Sequence, residues 1–160
     1  MNRDYIAAHG YLELGMYQEA WEALEALPPE ERHEPHVLVV RMEIYRALKK
    51  YEAMASVAEH LTTVCPQEPG HWINLAYAQR RHLGLEAAEK TLLQALKVFP
   101  REAHIHYNLA CYVCRQERLG EARTRLEEAL KLNPKFKKIA LNDEDLEPLW
   151  ANFASSMTAS

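Results

Sequence analysis

Residues 69–100 read PGHWINLAYAQRRHLGLEAAEKTLLQALKVFP. Trp72, Leu75 and Ala76 recur at spacings of three and four, which places them on one face of a helix running on to Leu83. Gly84 interrupts that pattern. A second apolar face follows in Leu85, Ala88, Leu92, Ala95, Leu96 and Phe99. Pro100 ends it, because proline cannot continue a helix. The stretch predicts two amphipathic helices joined by a tight turn.

The same pattern repeats outward in both directions. Pro66, Pro100 and Pro134 are each 34 residues apart, and so are Ala20, Met54, Ala88 and Ala122. Tyr17, Tyr51, Leu85 and Leu119 keep the same phase. Self-similarity at this period marks stacked helical hairpins. Helix pairs are therefore predicted near 3–14 and 17–27, 35–48 and 51–64, and 103–116 and 119–132, on either side of the quoted pair. Alanines stand where paired backbones must close up: Ala8 with Ala20, Ala76 with Ala88, Ala110 with Ala122. One hairpin alone leaves an apolar face wet, so such an array is stable only collectively.

These residues resemble the tetratricopeptide repeat, whose consensus reads W-x2-L-G-x2-Y, then A-x3-F, then P. The third repeat supplies Trp72, Leu75, Ala76, Ala88, Leu92 and Pro100. The fourth supplies His106, Leu109, Ala110, Ala122, Leu126, Ala129 and Pro134. The second supplies Leu38, Met42, Tyr45, Met54, Ala58 and Pro66, and the first Ala7, Ala8, Tyr11, Gly15, Tyr17, Ala20 and Leu24. The resemblance covers residues 1–134, with repeats at about 1–34, 35–68, 69–102 and 103–134. It implies an all-α, right-handed superhelical array of about four helix-turn-helix hairpins, an α-solenoid. Two departures stand out. Arg41 fills a slot where the motif wants a buried leucine, so either its stem reaches outward or the repeat opens there. The first repeat carries Pro28-Pro29 early, so its second helix ends short and residues 28–34, PPEERHE, form a loop before Pro35.

After Pro134 the period stops. Asp143-Glu144-Asp145 suits a helix start, because acids favour that end of the dipole. Leu146, Leu149, Trp150 and Phe153 then form one apolar stripe. A solenoid's last repeat needs such a lid, so 135–154 is expected to be a capping segment and helix. An autoinhibitory helix docked in the protein's own groove is the functional alternative. Residues 155–160 are expected to be a disordered tail.

Composition bounds the function class. The chain has 160 residues and a net charge of -4, which argues against a nucleic-acid binder as a whole. No secretory leader is visible at the start and no run approaches the roughly 18 apolar residues of a membrane helix, so a cytoplasmic protein is expected. Three cysteines argue against a disulfide framework. Cys111 and Cys114 form a C-x-x-C, but inside a predicted helix, with no second pair to complete a zinc site. His33 and His36 flank Glu34-Pro35, and the proline breaks the helical frame that a zinc-protease motif needs. No Gly-rich phosphate loop, nucleophile elbow or catalytic triad is present. No enzyme, no metal and no cofactor are expected.

What the resemblance does imply is a concave surface, lined by the first helix of each hairpin, that holds an extended peptide or a partner helix. Carried over position by position, the lining reads Val39, Ile73 and Tyr107, then Val40, Asn74 and Asn108, then Glu43, Tyr77 and Cys111. One turn on come Arg46, Arg80 and Cys114, then Ala47, Arg81 and Arg115. The first repeat adds Tyr5, His9 and Leu12, and the fourth adds His104. Arginine forks suit carboxylates, asparagine serves a peptide backbone, and tyrosine gives contact at low entropy cost. The expected function is a protein–protein interaction module (adaptor, assembly factor or chaperone-like binder) for a protein or peptide partner with acidic character. Alternatives are single-stranded RNA on the Arg/Tyr strip, or self-association through an apolar edge such as Trp21; monomer and homodimer both stay open. A known subtype clamps acidic chaperone tails with lysine, asparagine and arginine. Of its positions on repeats two to four only Asn74 matches, so that activity is disfavoured.

Overall fold

The computed structural model describes residues 2–151, and within them every regular element is helical. The helices are α1 (Arg3–Glu13), α2 (Tyr17–Glu25), α3 (Pro35–Ala47), α4 (Tyr51–Val64), α5 (Pro69–His82), α6 (Leu85–Val98), α7 (Ala103–Arg115), α8 (Leu119–Leu132) and α9 (Phe136–Leu141). A 3-10 turn, Glu144–Leu146, follows, and residues 147–151 are helical again. Phe153, the last member of the expected stripe, and the tail 155–160 lie outside the described residues. The chain divides into two compact units between His82 and Leu83.

In the first unit α3 is buried on two sides. Val37, Val40 and Ile44 join Ala8, Ala20, Leu24 and Leu27 in one core cluster. Leu38 and Met42 join Met54, Ala55, Ala58, Leu61, Leu75 and Ala78 in another. A helix sandwiched in this way is apolar nearly all round, so the one-sided periodicity that marks a surface helix is blurred in its sequence. Asn2 caps α1 by accepting from the Asp4 backbone N–H at 2.9 Å. The loop after α2 is fastened by Arg32, whose guanidinium donates to the Leu27 and Glu25 carbonyls at 2.8 and 2.5 Å. The Glu25 carbonyl is a helix-end acceptor that has no partner inside the helix, and Leu27 lies just past that end.

Arg41 neither reaches outward nor opens the repeat. Its side chain is only 12% exposed, it donates to Glu25 Oε1 at 2.8 Å, and its guanidinium lies 4.7 Å from the centre of the Trp21 ring. A buried leucine slot is thus filled by an arginine whose charge is met by a carboxylate and an aromatic face.

In the second unit α7 is the central helix, with ten of its thirteen residues buried. His106 takes the place that tryptophan holds in the repeat motif, and its Nε2 hydrogen-bonds the Pro100 carbonyl at 2.9 Å. Leu146 and Leu149 are buried, and the Trp150 indole N–H donates to the Ala140 carbonyl at 3.2 Å. The short helix α9 is absent from the sequence expectation, which placed one helix after Asp145.

Three of the four hairpin turns share one backbone device at the repeat period, the α5–α6 turn at Gly84 being the exception. Gly15, Lys49 and Glu117 all have positive φ, at 73°, 58° and 64°. In each case the next amide closes back five residues: Met16 to Tyr11, Lys50 to Tyr45 and Arg118 to Val113. This is the left-handed helix stop that favours glycine.

Candidate functional site

The predicted lining residues of the first unit gather on α3 and α5 and bring a residue of α4 with them. The Arg46 guanidinium lies 4.9 Å from the Tyr77 ring centre and donates to Asn74 Oδ1. Its Nε stands 3.6 Å from Glu43 Oε2. Tyr77 meets Tyr51 edge to face at 6.0 Å, and the Arg81 guanidinium lies 5.1 Å from the Tyr51 ring centre. The order across the face is arginine, tyrosine, tyrosine, arginine. Burial first, and then its hydrogen bond with Tyr51, holds the Tyr77 hydroxyl above its ordinary pKa, so it remains a proton donor.

Charge concentrates at the same end. Arg46, Lys49, Lys50, Arg80 and Arg81 are five of the eight lysines and arginines in residues 1–82, which carry twelve acids. Lys49, Lys50, Tyr51, Glu52, Ala53, Ser56 and His82 line an open depression of about 600 Å³ beside the ladder. The unit is net acidic, yet this patch is cationic, which is how a protein raises a local field for an oppositely charged partner.

The other predicted residues of this unit scatter. Val39 and Ile73 are half-buried, and Val39 packs against the α3–α5 core. Val40 is a core residue at 4% exposure and lines nothing. Arg80 is half-buried. Tyr5 packs edge to face on His36 at 4.8 Å, and exposed His9 sits 3.5 Å from Glu13. Tyr51 and the two lysines were absent from the expected lining. Tyr51 recurs in the sequence only as a register mark, and nothing there told that it would turn toward α5.

In the second unit the expected open lining is covered. Tyr107 and Cys111 are buried at 5% and 3% exposure. The Tyr107 hydroxyl donates to Asp143 Oδ2 at 2.6 Å, and Phe136 stacks on its ring at 4.8 Å. Cys111 Sγ reaches the same carboxylate oxygen at 3.7 Å. Arg115 stands 3.8 Å from Asp145, and the Asp145 backbone N–H donates to Asp143 Oδ1 at 3.0 Å. His104 lies against Phe136 at 5.7 Å, and Asn108 is half-buried. The chain's own acidic turn therefore occupies the α7 face that the sequence assigned to a partner. The reason is non-local: Tyr107 and Asp143 are 36 residues apart and share no repeat position.

Cys111 and Cys114 are both buried and neither is in a disulfide, and burial pushes the Cys114 thiol above its ordinary pKa, away from a reactive thiolate. Cys111, Asp143 and Asp145 offer donor atoms within 4.8 Å of one another. Both carboxylates there already have protein partners, in Tyr107 and Arg115. Among the described residues no helix is long and apolar enough to cross a membrane.

No protein-family profile matches the chain, and no curated protein matches it. Solved structures do. One is MamA (residues 41 to the end) from Desulfovibrio magneticus RS-1, at a TM-score of 0.72 and 17% identity, covering 97% of this chain and 92% of that one. An RS-1 MamA ArsTM double mutant gives 0.72 at 17% identity, covering 84% of this chain and 75% of that one. A thermophilic TPR protein in Thermus thermophilus gives 0.69 at 21% identity, covering 92% of this chain and 83% of that one. At these identities the likeness is one of fold. The fold is all-α and tetratricopeptide-like, as the 34-residue period implies.

Proposed function

We propose that this chain is a non-enzymatic protein-interaction module that holds an acidic partner segment on the α3–α5 face of its first unit. The observation that carries this reading is the ladder Arg46–Tyr77–Tyr51–Arg81. Its arginines are already laid on aromatic faces, so less freedom is lost when their forks meet a carboxylate. The tyrosines add stiff, amphipathic contact area. Likeness to TPR proteins supports the class of function, and the concentration of five cations supports the sign of the partner.

The test is a pull-down from native lysate read by mass spectrometry, using wild type, the Arg46→Glu/Arg81→Glu double variant, and a charge reversal in the second unit, Arg123→Glu, as baits. A partner recovered by wild type and Arg123→Glu and lost from the double variant is expected. Equal recovery by all three baits would remove the α3–α5 face from consideration.

A further inference from the structure

The second unit shows an acidic segment already seated on a repeat's first helix. Asp143 takes the Tyr107 hydroxyl and the Cys111 thiol, and Asp145, two residues on, pairs with Arg115. Shifted back by the 34-residue period, Cys111 becomes Tyr77 and Arg115 becomes Arg81. Both positions on α5 therefore carry hydrogen-bond donors.

We propose that the partner segment carries an acid–x–acid motif, seated on Tyr77 and Arg81 of α5 as Asp143 and Asp145 are seated on Cys111 and Arg115 of α7. This rests on the reading of the α3–α5 face given above, and it specifies the partner's chemistry and register. The α5 set is smaller, a hydroxyl and a guanidinium where α7 uses a hydroxyl, a thiol and a guanidinium. Ile73 stands at the Tyr107 position, so the single Tyr77 hydroxyl, a stronger donor than a thiol, is what meets the first acid. Arg81 is exposed, and its plane is fixed over Tyr51. Lys49 and Lys50 line the depression beside Tyr51 and add to the positive field that draws an acidic segment. Asp143 also caps its own turn through the Asp145 N–H, so an aspartate at the first position brings the second one into place.

The probe is a labelled, terminally blocked peptide of residues 141–147 of this chain, Leu-Asn-Asp-Glu-Asp-Leu-Glu. It is titrated into the full chain by fluorescence anisotropy. Saturable binding is expected, weakened about tenfold by Asp143→Asn with Asp145→Asn in the peptide, and about fivefold by Arg81→Gln in the protein. Arg115→Gln is expected to leave binding within about twofold, because its aspartate is supplied in the same chain. No saturable binding, equal binding of the asparagine peptide, or indifference to Arg81→Gln would each overturn the motif. If the lysate partner is lost from the Arg46→Glu/Arg81→Glu bait while the peptide fails, the motif falls and the interaction face stands. If both fail, the face falls with it.

Discussion

Arg118 grips Glu89 through two hydrogen bonds, from Nη1 at 2.9 Å and Nη2 at 2.8 Å, and Gln116 adds a third at 2.9 Å. Glu89 is 8% exposed, so its charge is stabilised by these donors in place of water. The Arg118 bonds hold its carboxyl below the ordinary range, with Gln116 assisting and burial opposing. A lowered folded pKa means that the stabilisation is present above the unfolded value and is lost as pH falls through the folded one. Glu89→Gln should cost about 2 kcal/mol at neutral pH. Urea denaturation of wild type and variant should converge as pH falls below the ordinary glutamate range and through the lowered folded-state value, where the wild-type carboxylate protonates.

Arg41 gives a contrasting case. Truncation to alanine removes the Glu25 pair and the Trp21 contact and leaves space beneath it, which should destabilise by about 1–2 kcal/mol. Arg41→Leu restores the repeat's own preference and refills the volume, so it should lie within about 1 kcal/mol of wild type in chemical denaturation. If Arg41→Leu is as damaging as Arg41→Ala, the ion pair stabilises this repeat more than packing can.

Lys49 and Glu117 hold a left-handed backbone that side chains disfavour. Lys49→Gly and Glu117→Gly should each raise stability by up to about 1 kcal/mol. Gly15→Ala, at the same turn of the first repeat, should lower it by about 1 kcal/mol. Thermal melts of the three variants would read both signs in one fold.

Tyr107→Phe deletes the hydroxyl that holds Asp143 and keeps the ring against Phe136. It should cost about 1–2 kcal/mol. Hydrogen exchange should speed selectively in residues 136–146, while α6 and α8 keep their protection.

The architecture was legible because the repeat writes the same instructions several times. Alanines at the close approaches, prolines at the ends and the turn at Gly15 each have a local cause. All of Ala8, Ala20, Ala110 and Ala122 are fully buried, as backbone proximity demands. Part of the candidate face was legible for the same reason: Arg46, Asn74, Tyr77 and Arg81 were named from their slots, and Arg46, Asn74 and Tyr77 come together. The rest depends on contacts that no period encodes. Tyr51 belongs to a second helix, which the first-helix rule passes over. Asp143 closes on α7 from a segment after the last repeat, where no counterpart exists to copy. Arg41 broke a hydrophobic slot, and its counter-ion, Glu25, stands 16 residues earlier in a different helix.

The two-sided burial of α3 also decides where this protein tolerates being cut. A chain started at Pro35 would keep α3 and α4 but strip the shelter from Val37, Val40 and Ile44, all buried against the preceding pair. Such a fragment would present a greasy strip along its leading helix and clump in solution. The first hairpin covers that side of α3, and shortening the chain past it removes a solubility element while every residue of α5 is still present.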